Sequence, residues 1–122
     1  MDLIMSSLEK TWLLDLDGTL LEHNGYLHGG DSLLPGAKEF AQKAFATGRI
    51  IILTSRKEEY KDETIAFLEK AGLPYHDILF GMPSGERVLI NDKKPSGLKT
   101  AFAINVVRNE GINVNITIDE DL

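Results

Sequence analysis

At 122 residues with no cysteine, the chain reads as one domain, 1–122, long enough to bury a core and devoid of disulfides, thiolate metal sites or a cysteine nucleophile. Its 43% apolar and 26% charged residues are those of an ordinary globular protein, and 13 basic against 19 acidic residues disfavour nonspecific binding to nucleic acid or an anionic membrane. No apolar run approaches the ~20 residues of a membrane span, and MDLIMSSLEK lacks the basic start and long apolar stretch of a secretory signal, so cytoplasmic residence is expected.

Taken in chain order, apolar runs alternate with helical patterns. WLLDLD (12–17) predicts a buried strand. GAKEFAQKAFATG (36–48) predicts a helix, with Ala37, Phe40, Ala41, Ala44 and Phe45 at helical spacing, Pro35 ahead and Gly48 as a stop. RIIILTS (49–55) is a continuous β-branched run of the kind buried on both faces of a parallel sheet. KEEYKDETIAFLEKAG (57–72) places Tyr60, Ile65, Phe67 and Leu68 mostly on one helical side and stops at Gly72. DILFG (77–81) and RVLIND (87–92) predict two further short strands. KTAFAINVVRNEG (99–111) fits a strand or a short helix, with strand preferred because few residues separate it from the preceding turn. INVNITID (112–119) alternates and predicts an edge strand. The order predicts an α/β domain with a mainly parallel sheet flanked by helices and joined by right-handed crossovers.

Three of these strands end in polar clusters: Asp15 and Asp17, then Thr54-Ser55-Arg56, then Asn91-Asp92-Lys93-Lys94. In open parallel sheets ligands bind beyond the carboxyl ends of the strands, so the clusters are expected to share one crevice. Two carboxylates placed two residues apart in extended chain project to one side and repel unless a cation or proton compensates. Asp15, Asp17 and Asp92 with water are a plausible donor set for Mg²⁺.

At these residues the sequence resembles the haloacid dehalogenase (HAD) superfamily of phosphotransferases. DLDGTL matches its first motif, IIILTSR the second, and RVLIND the fourth, over residues 11 to 95. The resemblance implies a HAD-like, Rossmannoid core and Mg²⁺-dependent phosphomonoester hydrolysis. In that scheme Asp15 is the nucleophile that becomes an aspartyl phosphate, and Asp17 is the general acid and base. Thr54 holds the transferring phosphoryl group, and Asp92, Asp15 and the Asp17 carbonyl bind the metal. Gly18 lets the chain turn so that both carboxylates face the substrate.

Two features depart from the family pattern. Between Gly72 and Asn91 there is no lysine to serve as the third motif, and Met82 stands in FGMPSG where small relatives carry it. The available cations are Arg87, Lys93 and Lys94; Lys94 is favoured because the second residue after Asp92 can project to the same side. Asn91 also replaces an acid often found in the fourth motif. Only LEHNGYLHGGDS separates Thr19 from the next helix, which leaves room for a β-hairpin flap but for no cap domain. A capless site is open unless a neighbouring subunit or a partner enzyme closes it, and it suits a bulky substrate.

Blander readings stand beside these. Thr54-Ser55 also suits a cap for the helix beginning near Lys57. Arg56 reads as a solvated or salt-bridged surface residue, with phosphate binding as the alternative. His23 and His28 can touch substrate from the flap; with His76 they lie at spacings that give no metal signature. The leading expectation is a Mg²⁺-dependent phosphatase with a sugar phosphate as substrate. The second is a non-catalytic phosphate- or metal-binding module serving a partner enzyme, favoured by Met82 and Asn91. A receiver-type signalling domain is disfavoured, because it lacks the acid two residues beyond its aspartate.

Overall fold

In the computed structural model, which describes residues 1–122, the chain runs β1 (Asp2–Met5), β2 (Lys10–Asp15), α1 (Ala37–Ala46), β3 (Gly48–Leu53), α2 (Lys61–Ala71), β4 (Asp77–Leu79) and β5 (Asn115–Ile118). Short 3₁₀ turns lie at Gly25–Leu27 and Glu58–Tyr60. The expected strand 12–17 thus begins earlier and closes at Asp15, leaving Asp17 beyond the strand.

Strands β2, β3 and β4 form one parallel sheet in that order. Its register sets Leu14 beside Ile52 and Asp15 beside Leu53, with Leu53 beside Leu79, so the three carboxyl ends stand level. Leu14, Leu16, Ile50 and Ile52 are buried in a core completed by Leu20, Leu21, Leu68, Leu73 and three alanines of α1. Burying each large aliphatic side chain contributes ~1.5–3 kcal/mol. The alanines, Ala37, Ala41 and Ala44, recur on one helical face and let α1 approach β3 closely. Phe45, expected on that face, is exposed and stacks on His76 at a centroid distance of 4.4 Å. Helix α2 buries Thr64 and Leu68 and ends at Gly72, whose left-handed φ of 73° lets its N–H bond back to Glu69. No helix is long and apolar enough to cross a membrane.

The sheet is smaller than the sequence predicts, and a second sheet stands beside it. Strand β5 pairs in parallel with β1, a strand absent from the sequence-based expectations, with Leu3 beside Ile116. Residues 87–92 form no strand: Val88, Leu89 and Ile90 are 82%, 57% and 91% exposed. A β-branched run supplies strand propensity, but a strand forms only when a ladder partner satisfies its backbone. The segment 99–111 is neither strand nor helix and closes in a turn where Asn109 takes a φ of 65°. Its backbone is anchored elsewhere, through the Asn109 N–H donated to the Gly18 carbonyl at 2.9 Å.

The start of β3 leaves no room for a side chain. A Cβ on Gly48 would lie 1.9 Å from the Lys10 carbonyl oxygen. Gly48→Ala is therefore expected to force β2 and β3 apart and destabilise by ~1–3 kcal/mol or more, checked by urea unfolding; an unchanged midpoint would refute this close approach.

Candidate functional site

Asp15 is the last residue of β2, and the chain must turn immediately beyond it. Gly18 makes that turn with a φ of 84°, where a Cβ would press on the Arg108 side chain at 3.2 Å. The Gly18 N–H reaches the Leu21 carbonyl at 2.7 Å, and the Leu20 and Leu21 N–H groups return to the Leu16 carbonyl. The turn leaves the Asp15 side chain 40% exposed. Its Oδ1 accepts from Arg87 Nη1 at 2.8 Å, and its Oδ2 accepts from Thr19 Oγ1 at 3.0 Å. Arg87 Nη2 also faces the Leu53 carbonyl at 3.4 Å. The structure therefore sets Arg87, rather than Lys94, beside Asp15. The Lys94 ammonium makes no hydrogen bond or ion pair, and its backbone carbonyl closes a turn with Gly97.

Beyond the strand ends lies a second arrangement that the sequence reading missed. Arg56, expected at the surface, is buried with its side chain fully enclosed. A buried guanidinium requires acceptors for its five N–H groups and a counter-charge. It has both. Nε and Nη2 donate to Asp17 Oδ2 and Oδ1 at 3.1 and 2.8 Å. Nη1 and Nη2 donate to Asp31 Oδ2 and Oδ1 at 3.0 and 2.7 Å. The remaining Nη1 hydrogen reaches Thr64 Oγ1 at 2.9 Å, and that hydroxyl donates to the Tyr60 carbonyl. Tyr26 covers one face of the guanidinium, 3.9 Å from its ring centroid, and meets Tyr60 edge-on. Burial alone would lower the Arg56 pKa; the hydrogen bonds and charges of Asp17 and Asp31 outweigh it and hold the group above its ordinary value. Burial raises the Tyr26 phenol, and the Asp17 charge adds to this, so the ring stays neutral.

These contacts fasten the loop between Leu21 and Leu33. In place of a hairpin, that loop has a single antiparallel bridge between Leu21 and Leu33, with the Glu22 N–H donated to the Ser32 carbonyl. Asp31 and Tyr26 are its two attachments to Arg56. His28 is exposed, whereas His23 is half-buried and its Nδ1 is enclosed without a partner. A cleft of about 200 Å³ beside the set is lined by Tyr26, Gly30, Asp31, Glu63 and Phe67.

Thr54 is buried at the end of β3, where its Oγ1 accepts the Arg56 backbone N–H at 3.1 Å. It closes its own turn rather than capping a helix: the 3₁₀ turn and α2 begin at Glu58 and Lys61, and their N-cap residues, Lys57 and Tyr60, make no side-chain cap hydrogen bond. Ser55 is exposed. Met82 N–H bonds to the Thr54 carbonyl at 3.0 Å, and Gly81 N–H to the Arg56 carbonyl at 2.8 Å, so FGMPSG is pinned across the end of β3.

Asp92 and Asn91 stand in the exposed irregular segment, bonded locally to Thr100. Asp15, Asp17 and Asp92 are not gathered into one metal-holding group. Both Asp15 oxygens and both Asp17 oxygens already accept from Arg87, Thr19 and Arg56. In this arrangement the donor set does not fit a hard cation that demands near-octahedral oxygens. A metal shell here would have to displace Arg87 and bring Asp92 in. Comparison of the chain with protein-family models, with curated proteins and with solved structures returned no match.

Proposed function

We propose that the chain is a HAD-like phosphatase of phosphomonoesters, sugar phosphates first, acting through an aspartyl phosphate on Asp15. The setting of Asp15 carries this reading: a half-exposed carboxylate at the carboxyl end of a parallel strand, flanked by a guanidinium and a hydroxyl. Ligands meet parallel sheets at that end. Arg87 supplies the planar fork that matches phosphoryl oxygens, the role the absent third-motif lysine leaves vacant.

In the first step an Asp15 oxygen bonds to phosphorus, the ester P–O bond breaks, and the leaving oxygen takes a proton from Asp17. Water then attacks phosphorus and gives a proton to Asp17, releasing phosphate and restoring Asp15. Arg87 offsets charge on the equatorial oxygens throughout. Mg²⁺ belongs to the proposal through the resemblance alone, and no step is assigned to it.

The test is turnover of p-nitrophenyl phosphate and a panel of sugar phosphates, with Mg²⁺ and with EDTA. Turnover of these esters is the expected result, no turnover on any of them would overturn the reading, and the EDTA arm reads whether a cation takes part. Arg87→Ala is expected to lower kcat/KM by ~10²-fold or more, the scale seen when one charge-stabilising donor is removed. Lys94→Ala should leave it near wild type, because that exposed ammonium makes no hydrogen bond or ion pair. The reverse ranking would return the cation's role to Lys94.

A second reading, a non-catalytic phosphate-binding module serving a partner enzyme, is favoured by the engagement of both Asp17 oxygens with Arg56. Absence of turnover on every ester, combined with calorimetric binding of inorganic phosphate that Arg87→Ala removes, would establish it.

A further inference from the structure

The proposed chemistry needs Asp17 to hold a proton in one step and to lack it in the next, yet Asp17 is fastened to a buried arginine by two hydrogen bonds. An acid that serves a leaving group must be held in one direction, and an arginine can hold it only if the arginine is itself fixed by other groups. This arginine has two partners. Asp31, with a side chain 6% exposed, occupies the other fork of Arg56 at 2.7 and 3.0 Å.

We propose that Asp31 and Arg56 are positioning residues for proton transfer by Asp17: Arg56 fixes the direction of the Asp17 carboxyl, and Asp31 holds the other fork of Arg56 so that the guanidinium stays in place. The inference rests on the phosphatase reading and extends it to Arg56, the last residue of the second matched stretch, and to Asp31, which lies outside the matched motifs. The geometry supports it. One guanidinium is gripped by two carboxylates in an enclosed set, Asp17 on one side of the fork and Asp31 on the other. The other groups facing the set add no cation. Tyr26 and Thr64 are neutral, and Glu63 lies across the adjoining cleft. Arg56 keeps its fixed orientation in either state because Thr64, Asp31 and the Tyr26 ring hold it independently of Asp17. The loop that carries Asp31 is thereby coupled to the acid that serves the leaving group.

The readout is dependence on the leaving group. p-Nitrophenolate departs readily without a proton, whereas the alkoxide of a sugar phosphate requires one. Asp31→Asn preserves shape and one acceptor for Arg56 while removing the charge, and Arg56→Lys removes the fork. Each variant is assayed on p-nitrophenyl phosphate and on an alkyl phosphate that the wild type hydrolyses, with folding checked by circular dichroism. General acid catalysis contributes ~10²–10⁴-fold, so each variant is expected to lose at least ~10-fold more kcat on the alkyl ester than on the aryl ester. KM is expected to change little on either ester. Equal losses on both esters would reduce the set to a structural brace, and no loss on either would do the same. If Arg56→Lys fails to fold, the isosteric Asp31→Asn decides alone. A wild type that hydrolyses neither ester overturns the phosphatase reading itself, and this inference with it.

Discussion

Asp15→Asn is expected to reduce phosphatase turnover to background while leaving the fold intact. The amide cannot supply the carboxylate oxygen that would bond to phosphorus, and no other carboxylate stands level with it at the strand ends, where β3 and β4 offer Leu53 and Leu79. The substitution is isosteric at a side chain that is 40% exposed. The amide oxygen can still accept from Arg87, and only the Thr19 hydroxyl must find a new acceptor, such as water. Unfolding midpoints should therefore shift little, which separates this result from a loss of structure. Mass spectrometry of the acid-quenched wild type during turnover should show one added phosphoryl group on the peptide containing Asp15, absent in Asp15→Asn. Turnover persisting in the variant would place the chemistry at another residue or in a contaminant. Wild-type turnover without a trapped phosphoryl group, and without reaction with beryllium fluoride, would point instead to direct attack by water.

What could be read from the sequence follows the range of the interactions that decide it. Strand β3 and helices α1 and α2 were legible because the isoleucine run, the alanine spacing and Gly72 are local signals. Residues 87–92 carry an equally clear local signal yet stay out of the sheet, because pairing is a property of two segments and the run has no partner. The reverse holds for β1: four residues at the N-terminus gain a strand only through β5, more than a hundred residues away in sequence. Asp15 and Asp17 stood out as a pair because they follow an apolar strand. Their cations did not. Arg87 is one of three candidate cations, and the alternation that favours Lys94 holds only for an extended strand through Asp92, which does not form. The environment of Arg56 depended on Asp31, 25 residues upstream in a loop with no distinguishing pattern. A basic residue directly after Thr54-Ser55, with an amphipathic helix following, is the one local hint that it is drawn inside.

Arg56→Met is expected to be strongly destabilising. Methionine fills much of the arginine's length but leaves Asp17 and Asp31 facing one another in an enclosed space with no cation between them. Removing one partner of a buried ion pair costs ~3–5 kcal/mol, against a total stability of ~5–15 kcal/mol for a domain. The two carboxylates lose four hydrogen bonds together, and Tyr26 loses the cation beneath its ring. Because Asp31 and Tyr26 fasten the loop between Leu21 and Leu33, hydrogen exchange there should quicken even where the sheet survives. The sign with pH is fixed by the direction of the Arg56 shift. Its pKa is raised on folding, so its stabilisation is fully present below the ordinary arginine value and is lost only as pH rises beyond it. Urea unfolding at neutral pH therefore reads the whole effect. The origin of the loss can be checked with a triple variant, Arg56→Met with Asp17→Leu and Asp31→Leu. Replacing a whole buried ionic set by apolar groups is often neutral or stabilising, so most of the lost stability should return while catalysis stays absent. If Arg56→Met cost under ~1 kcal/mol, the set would behave as an exposed ion pair does, and an enclosed guanidinium holding Asp17 in place would be refuted.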